Sequence, residues 1–576
     1  MTPNAMSPTT CPQPVFRSLR PVRCATVALI VAFVGRGADP VNAQAVPTTA
    51  AAANSAPTAL QNALRLRLEH NTDVRVVAID GEMVHAMARL LPFYATRAFE
   101  PLWVDSTGMR PALKELLDAL RGAAGDGLRP VDYHVPALEA TIRALTDSGR
   151  TNQRLVDTEL LASDGFLQLA SHLLAGYVDP KSAKADWFVP RSRADLLALL
   201  GQVATTAAVR GALSEVSPRD PAYHTLKLAL ATYLDIAARG DWPRVPAGPT
   251  LRMGDTSRRV VTLRARLRQS GDLTLADSSP RFDAPLQVAV ARFQSRHGLD
   301  IDSAVGVGTL RAMNVSAARR ADQIRLNLER WRWLPPVMGD RYIVVNIPAF
   351  EMKVVDSGRT VLRMRSIVGR AYRNTPIFTD TLTYLVMSPY WNVPPNLAVM
   401  DILPKVRKNI GYLATQRITV FRGNSNTPVD PRTVNWASVG GTQMPYRFRQ
   451  DPGPLNSMGR VKFMFPNQFN VYMHDTPDHS LFDKAERSFS SGCVRLSEPL
   501  ALAEYLLRAN GGWDIAAIDA ATSQSSERSV QLKSPIPVHL LYWTAWADVD
   551  GTTHFREDIY ERDAPLSRAL TTGPRR

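Results

Sequence analysis

Phe469 to Arg495 reads FNVYMHDTPDHSLFDKAERSFSSGCVR. Its first residues, Phe469-Asn470-Val471-Tyr472-Met473, alternate and are rich in strand formers, so a strand is expected to end at His474. Asp475 to Ser490 is polar and turn-like, and it can fold the chain back so that Cys493 comes near His474. Ser490-Ser491-Gly492-Cys493 is small, polar and flexible, which suits a tight turn presenting a side chain and not a packed core strand. A neighbouring imidazole lowers a thiol pKa and makes a usable thiolate near neutral pH. Cys493 is therefore a candidate nucleophile and His474 its general base and acid. The N–H groups of Gly492 and Cys493 can meet a developing oxyanion, and the Arg495 guanidinium can hold a substrate carboxylate.

The cysteine count points the same way. The chain has three, Cys11, Cys24 and Cys493. Arg17, Arg20 and Arg23 precede the apolar run Cys24 to Gly35, and Val41-Asn42-Ala43 offers a small-x-small cleavage site before Gln44. Residues 1–43 thus read as a secretory signal peptide or an uncleaved anchor. Cleavage leaves Cys493 as the single cysteine, unable to form an intramolecular disulfide in a compartment that favours them. Zinc is the competing chemistry, with His474, His479 and Cys493 as N, N and S ligands. Their spacing matches no common zinc template, and the chain has no HExxH. His479, in the polar Pro477-Asp478-His479-Ser480, reads as solvated.

With 576 residues, three or four domains are expected, and 45% hydrophobic with 21% charged residues is ordinary for folded protein. The net charge of +15 suggests an anionic partner, for which nucleic acid, a membrane surface and cell-wall polymer all qualify.

Taken together, His474-Asp475-Thr476-Pro477 followed by Ser490-Ser491-Gly492-Cys493-Val494-Arg495 resembles the active-site signature of L,D-transpeptidases of the YkuD type. The separation of 19 residues between His474 and Cys493 fits that pattern, and Ser491 stands where the family often has a histidine. Asn346-Ile347-Pro348 resembles the opening strand of that catalytic domain, and Ser366 to Arg370 with Asn374-Thr375-Pro376 its substrate-facing second hairpin. Arg449 to Gly453 and Asn456 to Asn467 look like the strands leading to the histidine, and Trp391 to Asn396 opens an insertion, about 392–446, that resembles the lid of the large periplasmic branch. Further upstream, Leu251 to Asn314 is similar to a small helical peptidoglycan-binding domain. The leucine face Leu113, Leu116, Leu117 and Leu120 belongs to a segment that resembles the branch's scaffold.

The expected architecture is multidomain α+β. A 44–63 Ala/Thr/Pro-rich linker leads to a 64–245 helical scaffold, a 246–316 three-helix peptidoglycan-binding domain and a 317–340 linking helix. The 341–576 catalytic domain is expected to be mostly β and sandwich-like. In that helix Trp331 and Trp333 are read as anchors of interdomain packing, with stacking on sugars as the alternative.

The resemblance implies acyl transfer with no cofactor and no metal. Cys493 would take the third residue of a donor peptide stem as a thioester, and an acceptor stem's amine would form a 3→3 cross-link, with Arg495, Ser490 and Ser491 meeting substrate. The implied setting is the periplasm or cell envelope. The implied partners are donor and acceptor peptidoglycan stems and other cell-wall enzymes, with no nucleic acid and any membrane tether confined to the N-terminus. Two alternatives stay open, an L,D-carboxypeptidase with water as acceptor and a non-catalytic wall-binding scaffold.

Overall fold

The computed structural model describes residues 57–70, 77–146, 149–183, 185–440 and 444–572. The signal segment, with Cys11, Cys24 and the Ala43 site, lies outside the described residues. The first helix, Ala59–Glu69, starts inside the stretch expected to be linker. Thr58 accepts from the Gln61 N–H while the Gln61 side chain accepts from the Thr58 N–H, a capping box that satisfies two otherwise orphaned donors.

The helical region packs around Asn152–Ala175, which is buried along most of its length. Leu113, Leu116, Leu117 and Leu120 of Pro111–Gly122 face this centre, as their spacing requires. Glu159 lies inside it and accepts from the main-chain N–H groups of Leu102, Trp103 and Val104 and from the Tyr94 hydroxyl. A buried carboxylate thus fixes the segment that leads into the short strand Val104–Asp105. Next, Arg258–Gln269, Ala284–Arg296 and Val307–Met313 form a three-helix unit with a separate apolar core.

The helix Ala317–Arg332 joins these parts to the C-terminal domain. Trp331 stacks on Trp543 at 4.5 Å, and the Trp333 indole N–H donates to the Val178 carbonyl at 2.9 Å. Both tryptophans therefore anchor neighbouring segments. Glu329, fully buried, pairs with Arg332 at 2.6 Å and accepts from the Val178 N–H at 2.7 Å.

The C-terminal domain is built on strands β1 (Arg341–Asn346), β2 (Glu351–Asp356), β3 (Arg359–Gly369), β4 (Phe378–Met387), β5 (Val461–Met464), β6 (Met473–His474), β7 (Ser488–Ser490), β8 (Val494–Leu496) and β9 (Arg528–Leu541). Their order is β7-β3-β8-β6-β5-β4-β9-β1-β2, and β3 also pairs with β2. The long β3 makes this closure. Arg359 to Arg365 pair with β2, whereas Ser366 and Ile367 pair with β8 and Val368 and Gly369 with β7. The mostly β domain is thus one sheet closed on itself around an apolar core that includes Ile343, Leu385, Phe463, Met473 and Val494.

Two expectations change. Ser366 to Arg370 and Asn374-Thr375-Pro376 do not form a hairpin: the first stretch ends β3, and the second lies ahead of β4, which pairs with β5 and β9. Residues 370–377 instead cross between distant parts of the sheet. Arg449 and Gln450, expected to start a strand leading toward the histidine, instead belong to Tyr446–Gln450, which pairs with Ile418–Arg422 and Trp391–Asn392 in a separate three-stranded sheet. This sheet and its helices enclose their own core of Ile402, Val406, Val420, Trp436 and Phe448, so the insertion is a small folded body and not a bare loop.

Candidate active site

The polar stretch after His474 is the crossover that lets β6 and β8 run parallel, with His474 opposite Arg495 and Met473 opposite Val494. Strand alternation then sorts the side chains. Met473, Val494, Leu496 and Phe463 are fully buried in the core. Tyr472, His474, Cys493 and Arg495 take the other face, joined by Lys462, the β5 partner of His474. The Tyr472 and His474 rings lie 5.7 Å apart, and the Lys462 Nζ sits 4.5 Å over the Tyr472 ring.

Electrostatics sets the protonation states. His474 is buried, and its pKa falls to about 3, first through burial and then through the Arg495 charge. Its Nδ1 donates to the Asp475 carbonyl, which fixes the neutral tautomer with the lone pair on Nε2. The carboxylate of Asp475 faces elsewhere and accepts from the Arg460 N–H at 2.8 Å. Cys493 is partly exposed. Its surroundings push the thiol above its ordinary value of 9.0, since desolvation outweighs the Tyr472 amide and hydroxyl and the Lys462 and Arg495 charges, all of which favour thiolate. The resting site is therefore a neutral thiol beside a neutral imidazole, in place of the expected thiolate.

The turn is held from within. Ser490, buried, donates to the Cys493 carbonyl at 2.5 Å and accepts from the Gly492 N–H at 3.1 Å. Ser490 thus shapes the turn instead of meeting substrate, and the Gly492 N–H already has an acceptor. Gly492 has φ +116°, a conformation that side-chain-bearing residues rarely adopt. Ser491 is exposed, and its hydroxyl accepts from Arg373 at 3.0 Å. The same guanidinium pairs at 2.8 Å with Asp401 of the inserted body, which ties that body to the Cys493 turn. Arg495 pairs with Asp478 at 3.3 Å. His479 is exposed and leans toward Asp475 Oδ1 at 3.9 Å, away from the thiol.

Lys462 and Tyr472 were not singled out from the sequence. The signals were present: a lysine inside the apolar Val461–Met464, and a tyrosine two residues before His474 on the same strand face. The Asp475 carbonyl leaves no such signal, since any residue supplies one.

Three stretches match known families. Residues 340–526 match the L,D-transpeptidase catalytic domain, residues 88–230 a scaffold domain, and residues 256–313 the family described as "Putative peptidoglycan binding domain". A Haemophilus influenzae protein named "Putative L,D-transpeptidase" is 33% identical over 247 residues, 43% of this chain and 49% of that protein. The chain thus spans about half the length of the curated relative it matches. Among solved structures, an L,D-transpeptidase from Xylanimonas cellulosilytica is 15% identical and covers 51% of this chain and 99% of its own, with a TM-score of 0.17. One from Mycobacterium smegmatis is 13% identical and covers 35% of this chain and 58% of its own, also at 0.17. Superpositions at that score carry no argument. The family matches, which enclose the Cys493 turn and eight of the nine strands of the sheet that bears it, identify the chain as one carrying the L,D-transpeptidase catalytic domain, joined to a scaffold domain and a peptidoglycan-binding domain.

Proposed function

We propose that the protein is an exported enzyme of the cell envelope that forms 3→3 cross-links between peptidoglycan stems through a thioester on Cys493. The observation that supports this most is the shared sheet face of Cys493, His474 and Arg495, at a partly exposed cysteine. In the first step the sulfur attacks the carbonyl of the donor stem's third residue while His474 Nε2 takes the thiol proton. The S–C bond forms, the C–N bond to the terminal D-alanine breaks, and the leaving amine takes the proton from His474. The acceptor amine then attacks the thioester, its proton passes through His474 to the sulfur, and the S–C bond breaks. Neutral starting partners suit this sequence, since the proton moves as the bond forms and no ion pair must be buried beforehand. Arg495 meets a substrate carboxylate by exchanging it for Asp478, whose side chain is largely exposed. The three-helix unit keeps the polymer close.

The test is product analysis on purified stems. Wild-type protein is expected to yield dimers, and Cys493→Ala none. Trimmed monomers alone would instead assign an L,D-carboxypeptidase. Full cross-linking by Cys493→Ala, or no mass added at Cys493 by a carbapenem, would overturn the reading.

A further inference from the structure

Cys493 contributes its side chain to the site and also a main-chain N–H. No acceptor for that N–H occurs among the described residues, whereas the Gly492 N–H is held by Ser490. The Cys493 N–H shares a peptide unit with the Gly492 carbonyl, and in a trans peptide the two point in opposite directions. Whatever holds the carbonyl therefore aims the N–H.

The carbonyl is held by Thr375, which is fully buried in the 370–377 crossover. Its hydroxyl donates to the Gly492 carbonyl at 2.8 Å and accepts from the Gly369 N–H at 2.9 Å. These directions are forced, because a carbonyl can only accept and an amide can only donate. Thr375 is in turn gripped by Tyr560. The Tyr560 hydroxyl donates to the Gly369 carbonyl at 2.5 Å and accepts from the Thr375 N–H at 3.2 Å. Tyr560 is itself placed by Tyr542, whose hydroxyl accepts from the Tyr560 N–H at 2.8 Å and donates to Asp558 at 2.6 Å. Every hydroxyl in the chain from Asp558 to Gly492 thus has a single consistent direction, so the chain has no alternative arrangement of protons.

We infer that Tyr560 and Thr375 are positioning residues that fix the Gly492–Cys493 peptide plane so that the Cys493 N–H meets the oxyanion formed when Cys493 is acylated. Tyr560 lies beyond the 340–526 stretch matched to the catalytic-domain family, so the C-terminal segment completes the site. The inference rests on Cys493 being the acylated group.

Two reactions at the same sulfur separate positioning from general support. Acylation by a carbapenem builds an oxyanion: the S–C bond forms, the lactam C–N bond breaks, and the nitrogen takes the proton. Alkylation by iodoacetamide displaces iodide and builds none. Tyr560→Phe keeps the ring and removes both hydroxyl contacts. It is expected to slow acylation about 10-fold or more, a fraction of what losing an oxyanion donor costs, with alkylation changed less than about 2-fold. Thr375→Val is expected to do the same, and Thr375→Ser to restore most of the rate, which keeps the test available if one variant folds poorly. Equal slowing of both reactions would reduce the two residues to structural support, and unchanged acylation would overturn the inference. Failure of the underlying reading looks different, since it would leave Cys493→Ala still acylated.

Discussion

At the scale of single residues, burial acts on His474 and Cys493 with opposite sign. His474 is held neutral with a pKa of about 3, below its ordinary 6.5. The unfolded chain therefore gains protons at this residue as pH falls below 6.5, and stability is lost until about pH 3. His474→Gln is expected to flatten that acid limb in denaturant titrations between these values. Cys493 is raised, so its contribution is present below 9.0 and lost as pH rises through the folded value. Iodoacetamide labelling of the folded protein should accordingly have its midpoint above 9.0, and a midpoint near neutrality would contradict the neutral resting pair. Gly459 makes a second point at this scale. It has φ +61°, and an added Cβ would overlap the Asp475 carboxylate. Gly459→Ala is expected to destabilise by about 1–3 kcal/mol and to lower turnover by displacing the carbonyl that orients His474, measurable by thermal melting and steady-state rates. The proposed nucleophile, its proposed base and Arg495 were legible as one group because strand alternation and a turn of small residues leave marks in sequence. The orienting carbonyl and the occupied Gly492 N–H were not, since main-chain groups carry no residue identity.

At the scale of elements, the insertion shows where sequence patterns stop. Its start at Trp391 was readable, but the alternation of Tyr446–Gln450 does not say which sheet the strand joins. Pairing is decided by packing, here by Trp436, which is buried against Phe448 and Tyr446 at ring distances of 5.8 and 5.5 Å. Trp436→Ala should remove about 3–5 kcal/mol from the insertion's own stability. Hydrogen exchange is expected to rise across 391–450 while β5, β6 and β8 stay protected. Equal loss of protection throughout would mean that the insertion does not fold as its own unit. The 370–377 crossover was misread as a hairpin for the same reason, because two adjacent strands in sequence need not be neighbours in a closed sheet.

At the scale of the molecule, buried charge holds the helical parts to the catalytic domain. Glu329 serves Arg332 and the Val178 N–H, and Arg330 pairs with Asp563 at 2.7 Å. Glu329→Ala would strand the fully buried Arg332 and is expected to lower stability by about 3–5 kcal/mol in denaturant unfolding. None of this was legible beforehand, since a charged residue in an amphipathic helix reads as solvent-facing until its partner 151 residues away is known.

Closure of the catalytic sheet has a consequence for how the protein behaves when crowded. Of the two strands that end the sheet order, β2 is paired on both sides, and among the described residues Ser488–Ser490, three residues long, is the end strand that keeps a free side. Too short a template to recruit another copy's backbone, it makes the folded state a poor seed for fibrils or strand-swapped aggregates. That protection hangs on the β2–β3 ladder. Should it melt, two long margins open together, so the hazard belongs to partly opened molecules and not to native ones.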